Sequence, residues 1–520
     1  MSHKRNTFAL FDCTAGRRDA AGGRNFIGLS ARVHPEKRPA QAERITYPKF
    51  RRRPFVVSDR RTRAPPVRTP RPPPGRVRQT VRRTAIMNSR PLAVRRASRR
   101  PSASGGPGGG GRWAAFVGAG VLVAVGYMDP GNWATALAGG AGYGYALLGV
   151  VIAASLMAML LQWLAARIGV VSGRDLAQLC RERFDPRATV PLWIAAEIAI
   201  VACDVAEVVG AAVALQMLLG VSLTAGVLIS AIATLAMLAL ERHGRRTLEA
   251  AIASLILFVG LCFVIEVALA RPDWHAALAG AAPSPRLLRE PGMLWLAAGI
   301  LGATVMPHNL YLHSMLVKHH ASERDEQSIR RALFGVNLDT FVSLGFAFVI
   351  NAALLIVAAA VFHASGHDEV TDLADAHRLI APLVGNHWAG LLFAAALLAC
   401  GLSATVTGTL AGQAIMEGFL KLSLPRWQRA LLTRALAIGP ALAAVGLFGQ
   451  HGSNQLLVAS QVVLSLQLPL AMVPLIVFAS SRALMGNWRV RGLPLAAAWA
   501  CAAVILLLNG ALVWQIAAAQ

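Results

Sequence analysis

Two interrupted helices carry the residues that could bind a metal ion. Residues 129–132 read DPGN and residues 303–309 read ATVMPHN, and each segment lies inside a long apolar run. Proline removes one backbone hydrogen bond from a helix, and glycine loosens the break further. In lipid, the freed backbone groups survive only where they line a cavity or find a ligand. The breaks bear a carboxylate, two amides, a thioether and an imidazole, which predicts a metal-ion site at mid-membrane depth.

The ligands predicted from residue type are Asp129, Asn132, Met306 and the backbone carbonyl of Ala303. Oxygen ligands alone suit magnesium or calcium, whereas a thioether shifts the preference towards manganese, iron, cobalt or cadmium. A methionine in a helix is more often a core residue. Here Met306 directly precedes the helix-breaking Pro307, which favours the ligand interpretation.

Acids within another apolar run indicate a second chemistry, the movement of protons. Glu197, Asp204 and Glu207 are spaced by seven and three residues, which places them near one helical face. Because ionised groups in lipid are costly, we interpret Asp204 and Glu207 as a proton route, with Arg434 as a possible partner. His308 is either a hydrogen-bonded core histidine or a proton-handling group.

The remaining polar groups in apolar runs are interpreted as structural. Glu266 and Asp339 are lone acids for which we expect hydrogen-bonding roles. The six cysteines are scattered and form no CxxC pair, so the sequence indicates neither a thiolate metal cluster nor a disulfide framework.

The elements that must position these residues are eleven predicted transmembrane helices. The chain is 55% hydrophobic and only 15% charged, and its apolar runs of about 20 residues are long enough to cross a bilayer. The predicted spans are approximately 113–137, 143–166, 190–219, 222–240, 249–270, 293–317, 335–362, 387–411, 430–449, 455–480 and 493–516. The sequence therefore predicts an all-α polytopic membrane protein.

The distribution of charge predicts the orientation of these spans. Nineteen Lys and Arg fall in loops on the side of the N-terminus and four in the opposite loops, and basic loops stay in the cytoplasm. We expect a cell (inner) membrane protein with a cytoplasmic N-terminus and an external C-terminus. The interruptions fall in spans one and six, which predicts two inverted five-helix repeats, with span eleven outside them, and a central transport site.

Residues 1–112 are predicted to be a basic, disordered tail that precedes a transmembrane transporter domain at 113–520. The tail holds 28 of the 51 Lys and Arg against five acids, and it is rich in Arg, Pro, Gly and Ser. Its low complexity favours a solvated tail over nucleic-acid binding. Met87 and the basic stretch after it resemble a natural start, so one hypothesis is that residues 1–86 are an upstream extension.

Several motifs in the same order resemble the NRAMP family of divalent-metal transporters, in particular its bacterial proton-coupled manganese transporters. Residues 126–135 read GYMDPGNWAT, similar to the first-span signature, and residues 306–314 read MPHNLYLHS, similar to the sixth-span signature. The supporting segments are 204–207 (DVAE), 412–419 (GQAIMEGF) and 460–469 (SQVVLSLQLP). The long basic tail has no counterpart in that family.

The resemblance implies a fold like that of amino-acid/sodium symporters and an alternating-access mechanism. It implies no resident cofactor, because Mn²⁺ or Fe²⁺ and H⁺ are the cargo. The implied metal ligands are Asp129, Asn132, the Ala303 carbonyl and Met306, joined in some states by Gln461, with Gln467 as the fallback. The positions implied in proton movement are His308, Asp204, Glu207 and Arg434.

Three other functions compete with this interpretation. A sodium-coupled amino-acid symporter of similar architecture needs neither Asp129 nor Met306 as a ligand. A membrane metalloenzyme needs a zinc-binding motif, yet the sequence has no HExxH and His308 and His313 are five residues apart. A signalling receptor would usually carry a folded soluble domain, and the soluble segment here is of low complexity.

Overall fold

The structure is a computed structural model, and it describes residues 118–239, 245–282, 284–321 and 323–518. The predicted tail at 1–112, with the extension hypothesis for 1–86, lies outside these ranges. The α-helices are α1 Ala119–Gly126, α2 Pro130–Tyr143, α3 Leu148–Ser172, α4 Leu176–Arg183, α5 Pro186–Leu219, α6 Leu223–Ala239, α7 Arg245–Ala270, α8 Trp274–Gly280, α9 Pro291–Val305, α10 Pro307–Val317, α11 Glu326–Val361, α12 Leu373–Val384, α13 Trp388–Leu420, α14 Arg426–Ser480, α15 Arg482–Met485 and α16 Leu493–Ala518.

The described part of the chain contains eight helical segments that are long and apolar enough to cross a membrane. Large apolar side chains such as Leu257, Val342 and Leu507 are exposed on these helices. An exposed apolar side chain is costly in water but not in lipid. The prediction of an all-helical polytopic membrane protein is therefore confirmed.

The predicted boundary between spans nine and ten is not a break in helical structure. Helix α14 is assigned without interruption over 55 residues. At 1.5 Å per residue it would measure about 80 Å, more than twice the thickness of the hydrocarbon core. One straight span cannot account for this length, so eleven spans in two five-helix repeats stay a prediction.

Both predicted helix interruptions are present. Helix α1 ends at Gly126 and α2 begins at Pro130, with Asp129 as its N-cap. Helix α9 ends at Val305 and α10 begins at Pro307. Proline suits the first position of a helix because the backbone N–H there has no intrahelical partner. The two breaks place free helix ends inside apolar segments.

The interrupted helices are enclosed by the longer ones. Helix α5 packs along α13 and α14, α2 and α3 pack against α11, and α9 packs against α14. Gly302 of α9 lies against the backbone of Gln461 in α14, and Gly210 of α5 lies against the ring of Pro130. A side chain at either glycine would hold the helices apart. These close approaches bring both breaks and α14 to one buried centre.

Candidate metal-ion site

The first break is held together by a carboxylate and an amide. The Asp129 carboxylate accepts the backbone N–H of Asn132 at 3.0 Å and its side-chain Nδ2 at 2.9 Å. Asp129 is an N-cap, the position at which a short acid binds the free N–H groups of a helix start. Both side chains are buried. The predicted ligands of the first break therefore form one unit.

The second break is tied to the first through a backbone carbonyl. Asn132 Nδ2 also donates to the carbonyl oxygen of Ala303 at 2.9 Å. In a continuous helix this oxygen would accept the N–H of residue 307, but Pro307 has none. Thr304 Oγ1 lies 3.5 Å from Asn132 Oδ1. Met306 is completely buried and lies between the two half-helices, and its sulfur is 3.6 Å from Asn309 Nδ2.

Gln461 brings the third element, α14, to the carboxylate. Its Nε2 lies 3.5 Å from Asp129 Oδ2 and 3.1 Å from Ser460 Oγ. Gln461 is completely buried, and Oε1 accepts no hydrogen bond from the described residues. Gly131 makes room for this amide, because a Cβ there would overlap it. Gln467, the fallback, is buried with neither amide atom bonded to a described residue, so Gln461 is the glutamine that contacts Asp129.

The donors at this centre are of mixed type. Within the described ranges, no group of three or more His, Cys, Asp or Glu side chains could hold a metal ion. The centre instead combines one carboxylate, amide and carbonyl oxygens and a thioether. Such a set can replace the water shell of a divalent ion while adding a single negative charge.

The acids of α5 lie close to His308 through a residue that the sequence analysis missed. Cys203 Sγ lies 3.5 Å from Glu207 Oε1 and 3.7 Å from His308 Nε2. Asp204 and Glu207 are both buried, and both face Gly408 of α13. Cys203 precedes Glu207 by one helical turn, and this spacing could have identified it. The predicted proton-route residues of α5 and α10 therefore converge.

The third acid of α5 is paired with Arg429, which lies just before the predicted ninth span at 430–449. Glu197 forms an ion pair with Arg429, and Trp193 Nε1 donates to Glu197 Oε1 at 3.1 Å. Arg429 is buried because α14 begins at Arg426, earlier than the predicted span. Helix α14 therefore begins before the predicted ninth span. The side chain of Arg434 lies outside the described part of the structure, and its role stays a prediction.

The two lone acids differ from each other. Asp339 Oδ2 accepts the backbone N–H of Gly120 at 2.6 Å, and Ser343 Oγ lies 3.5 Å from Oδ1, which confirms a structural role at the start of α1. Glu266 is buried, and its carboxylate has no hydrogen-bond partner among the described residues. The hydrogen bond expected for Glu266 is not found there.

Comparison with known proteins identifies relatives over most of the chain. The divalent metal cation transporter MntH of Ralstonia nicotianae is 53% identical over 403 residues, which cover 78% of this chain and 91% of that protein. MntH 1 of Pseudomonas aeruginosa is 54% identical over 375 residues, or 72% of this chain and 85% of that protein. These relatives are named as transporters, not enzymes.

Solved structures agree with the sequence relatives. A variant of the manganese transporter of Eremococcus coleocola superposes with a TM-score of 0.71 at 37% identity, covering 78% of this chain and 87% of that one. Mhp1, a nucleobase-cation-symport-1 family transporter, matches with a TM-score of 0.52 at 15% identity over 77% of this chain and 92% of that one. That second likeness concerns the fold alone. The family model described as "Natural resistance-associated macrophage protein-like" matches residues 120–515, and the chain belongs to this Nramp family.

Proposed function

We propose that this protein imports divalent transition-metal ions, manganese and also iron, cobalt and cadmium, by proton-coupled alternating access. The observation that carries the proposal is the buried unit of Asp129, Asn132 and the Ala303 carbonyl, flanked by Met306 and Gln461. An ion at this centre would exchange water for protein donors at the point where two helices are interrupted. That is where secondary transporters bind their substrates.

The donor set supports a transition metal over the abundant hard cations. Magnesium and calcium take oxygen ligands, and a thioether adds little to their binding. Manganese, iron, cobalt and cadmium accept sulfur more readily. The sulfur of Met306 would therefore improve discrimination against calcium and magnesium. The names of the relatives, divalent metal cation and manganese transporters, support the same substrate class.

Proton coupling is supported by the acids beside the ion centre. A divalent ion at Asp129 would favour loss of a proton from its surroundings, because positive charge stabilises the deprotonated acid. His308 lies two residues after Met306, and Cys203 lies between His308 and Glu207. We propose that protons leave along Asp204 and Glu207, with metal and proton moving from the external side of the inner membrane to the cytoplasm.

The test is uptake by purified protein in proteoliposomes that report internal manganese and internal pH together. We expect acid-stimulated manganese uptake with internal acidification, and Asp129→Ala should abolish the uptake. Glu369→Ala is the control, because it also removes one carboxylate but from an exposed loop. Wild-type-like uptake by D129A would remove Asp129 from the site. Sodium-driven amino-acid uptake without manganese uptake would replace the proposal by an amino-acid symporter.

A further inference from the structure

Helix α16, which lies outside the predicted repeats, is joined to α14 by a pair of buried hydrogen bonds. Asn509 Nδ2 donates to the backbone carbonyl of Ser465 at 2.7 Å, and Ser465 Oγ donates to Asn509 Oδ1 at 2.8 Å. Ser465 is completely buried, and Asn509 is 6% exposed. The amide nitrogen and the amide oxygen of Asn509 therefore both form hydrogen bonds with Ser465 of α14.

The carbonyl that Asn509 binds is one that the sequence of α14 leaves without a helical partner. In an α-helix, the carbonyl of Ser465 accepts the N–H of residue 469. Residue 469 is proline, which has no N–H and lies inside α14. A free carbonyl in the membrane interior needs another donor, and Asn509 supplies it.

Ser465 also lies against α9, the helix that carries Ala303. Its backbone N–H belongs to the helical hydrogen bond from residue 465 to the carbonyl of Gln461. Gly302 packs on this hydrogen bond, because a Cβ at Gly302 would lie against the Gln461 carbonyl and 2.7 Å from the Ser465 nitrogen. Gly302 directly precedes Ala303, whose carbonyl belongs to the centre. A displacement of Ser465 would therefore also displace Gln461 and Ala303.

We infer that Asn509 is a positioning residue for metal binding: by holding the Ser465 carbonyl freed by Pro469, it fixes the turn of α14 that presents Gln461 to Asp129. This inference rests on the proposed function. Asn509 has no contact with the ion centre and acts through Gln461. Helix α16 thereby contributes to substrate affinity without donating a ligand.

The first test is manganese uptake kinetics of Asn509→Ala, with rates normalised to inserted protein. We expect KM for manganese to rise by about three- to tenfold, the scale of one hydrogen bond expressed as an equilibrium constant. Leu512→Ala is the matched control, because Leu512 is buried on the same helix against Ala298 and Val462. It loses packing but no hydrogen bond, so it should lower thermal stability while changing KM less than N509A does.

Two double variants separate positioning from general damage. In a Gln461→Ala background, N509A should change KM by less than about twofold, because the residue through which it acts is gone. In a Pro469→Ala background, the restored N–H satisfies the Ser465 carbonyl, so adding N509A should again have little effect. The P469A background also keeps the test informative if N509A alone fails to insert.

The outcomes are distinct from those that test the proposed function. Absence of manganese uptake by the wild-type protein overturns the proposed function. Wild-type uptake together with an unchanged KM in N509A overturns the role of Asn509. The same rise in KM with and without Gln461 also overturns it, because the effect would then reach the ion by another route.

Discussion

The sharpest prediction concerns the glycine where α9 crosses α14. Replacing Gly302 by alanine places a methyl group against the backbone carbonyl of Gln461 and 2.7 Å from the backbone nitrogen of Ser465. Both contacts are with backbone atoms, so no side chain can rotate away. The two helices must separate, and with them Ala303 and Gln461, which each supply a group to the proposed metal site.

The size of the effect follows from these distances. Ordinary contact begins at 3.4 Å, so the nitrogen alone requires a separation of about 0.7 Å, and the carbonyl requires more. Metal-ligand distances tolerate deviations of only about 0.2 Å. Overpacking of this kind costs about 1–3 kcal/mol, and about 1.4 kcal/mol is a factor of ten. We expect manganese uptake by Gly302→Ala to fall by about fivefold to a hundredfold.

The assay is initial manganese uptake in cells, normalised to the amount of protein inserted in the membrane. Gly345→Ala is the control, because Gly345 lies in helix α11 with no neighbouring atom within 4 Å of an added Cβ. Replacing a helical glycine by alanine in open space should be neutral or slightly stabilising. Wild-type uptake by G302A would show that the spacing of α9 and α14 does not control the site.

Three further substitutions test the roles of single side chains. Met306→Ala should spare part of the manganese uptake while competition by calcium strengthens by about tenfold, equivalent to about 1.4 kcal/mol; unchanged calcium exclusion and cadmium uptake would contradict a role in selectivity. Asp204→Asn should transport metal with weaker dependence on external acidity and little proton influx, measured in vesicles that report both, whereas full proton influx would place the route elsewhere. Glu197→Gln should leave Arg429 buried without its carboxylate and destabilise the protein by about 3 kcal/mol, seen as a lower melting temperature; an unchanged melting temperature would show that the ion pair is dispensable.

The local features of the site could be predicted from the sequence because their causes are local. Pro130 and Pro307 interrupt apolar segments that would otherwise be continuous helices, and the rule that proline disrupts a helix needs no tertiary context. Asp129 could be recognised as a candidate site residue in the same way, because an ionisable side chain within an apolar span is costly and is usually functional. The predicted inverted repeats place the two interruptions at one centre. The hydrogen bonds of Asn132 to Asp129 and to the Ala303 carbonyl agree with that placement.

The pairings across the chain could not be predicted, because they depend on where each helix begins and which face it presents. Arg429 lies outside the predicted span at 430–449 because apolar character rises only after it, whereas α14 begins at Arg426. Its partner Glu197 is 232 residues away. Cys203 looked like an ordinary apolar residue until the structure placed it between His308 and Glu207. A single sequence does not show which residues of different helices are in contact.

One physical rule nevertheless links the ion centre to its support. A proline frees the carbonyl four residues before it, and in lipid that carbonyl needs a donor. Pro307 frees Ala303, whose carbonyl accepts Asn132, and Pro469 frees Ser465, whose carbonyl accepts Asn509. Both freed carbonyls can be identified from the positions of the prolines in the sequence. Their donors, Asn132 and Asn509, can be identified only from the structure.

The two freed carbonyls differ in what else they can bind. In the first pair the donor amide also bonds the Asp129 carboxylate, so the Ala303 carbonyl and that carboxylate share one neutral N–H donor group, each 2.9 Å from the same nitrogen. Under the proposed function a divalent ion would replace that donor, because its charge attracts the same two oxygens. The second pair contains no carboxylate, and its Ser465 hydroxyl donates back to Asn509. The first arrangement therefore offers a charged and a neutral oxygen to a cation, whereas the second offers only uncharged groups that already bond each other across two helices.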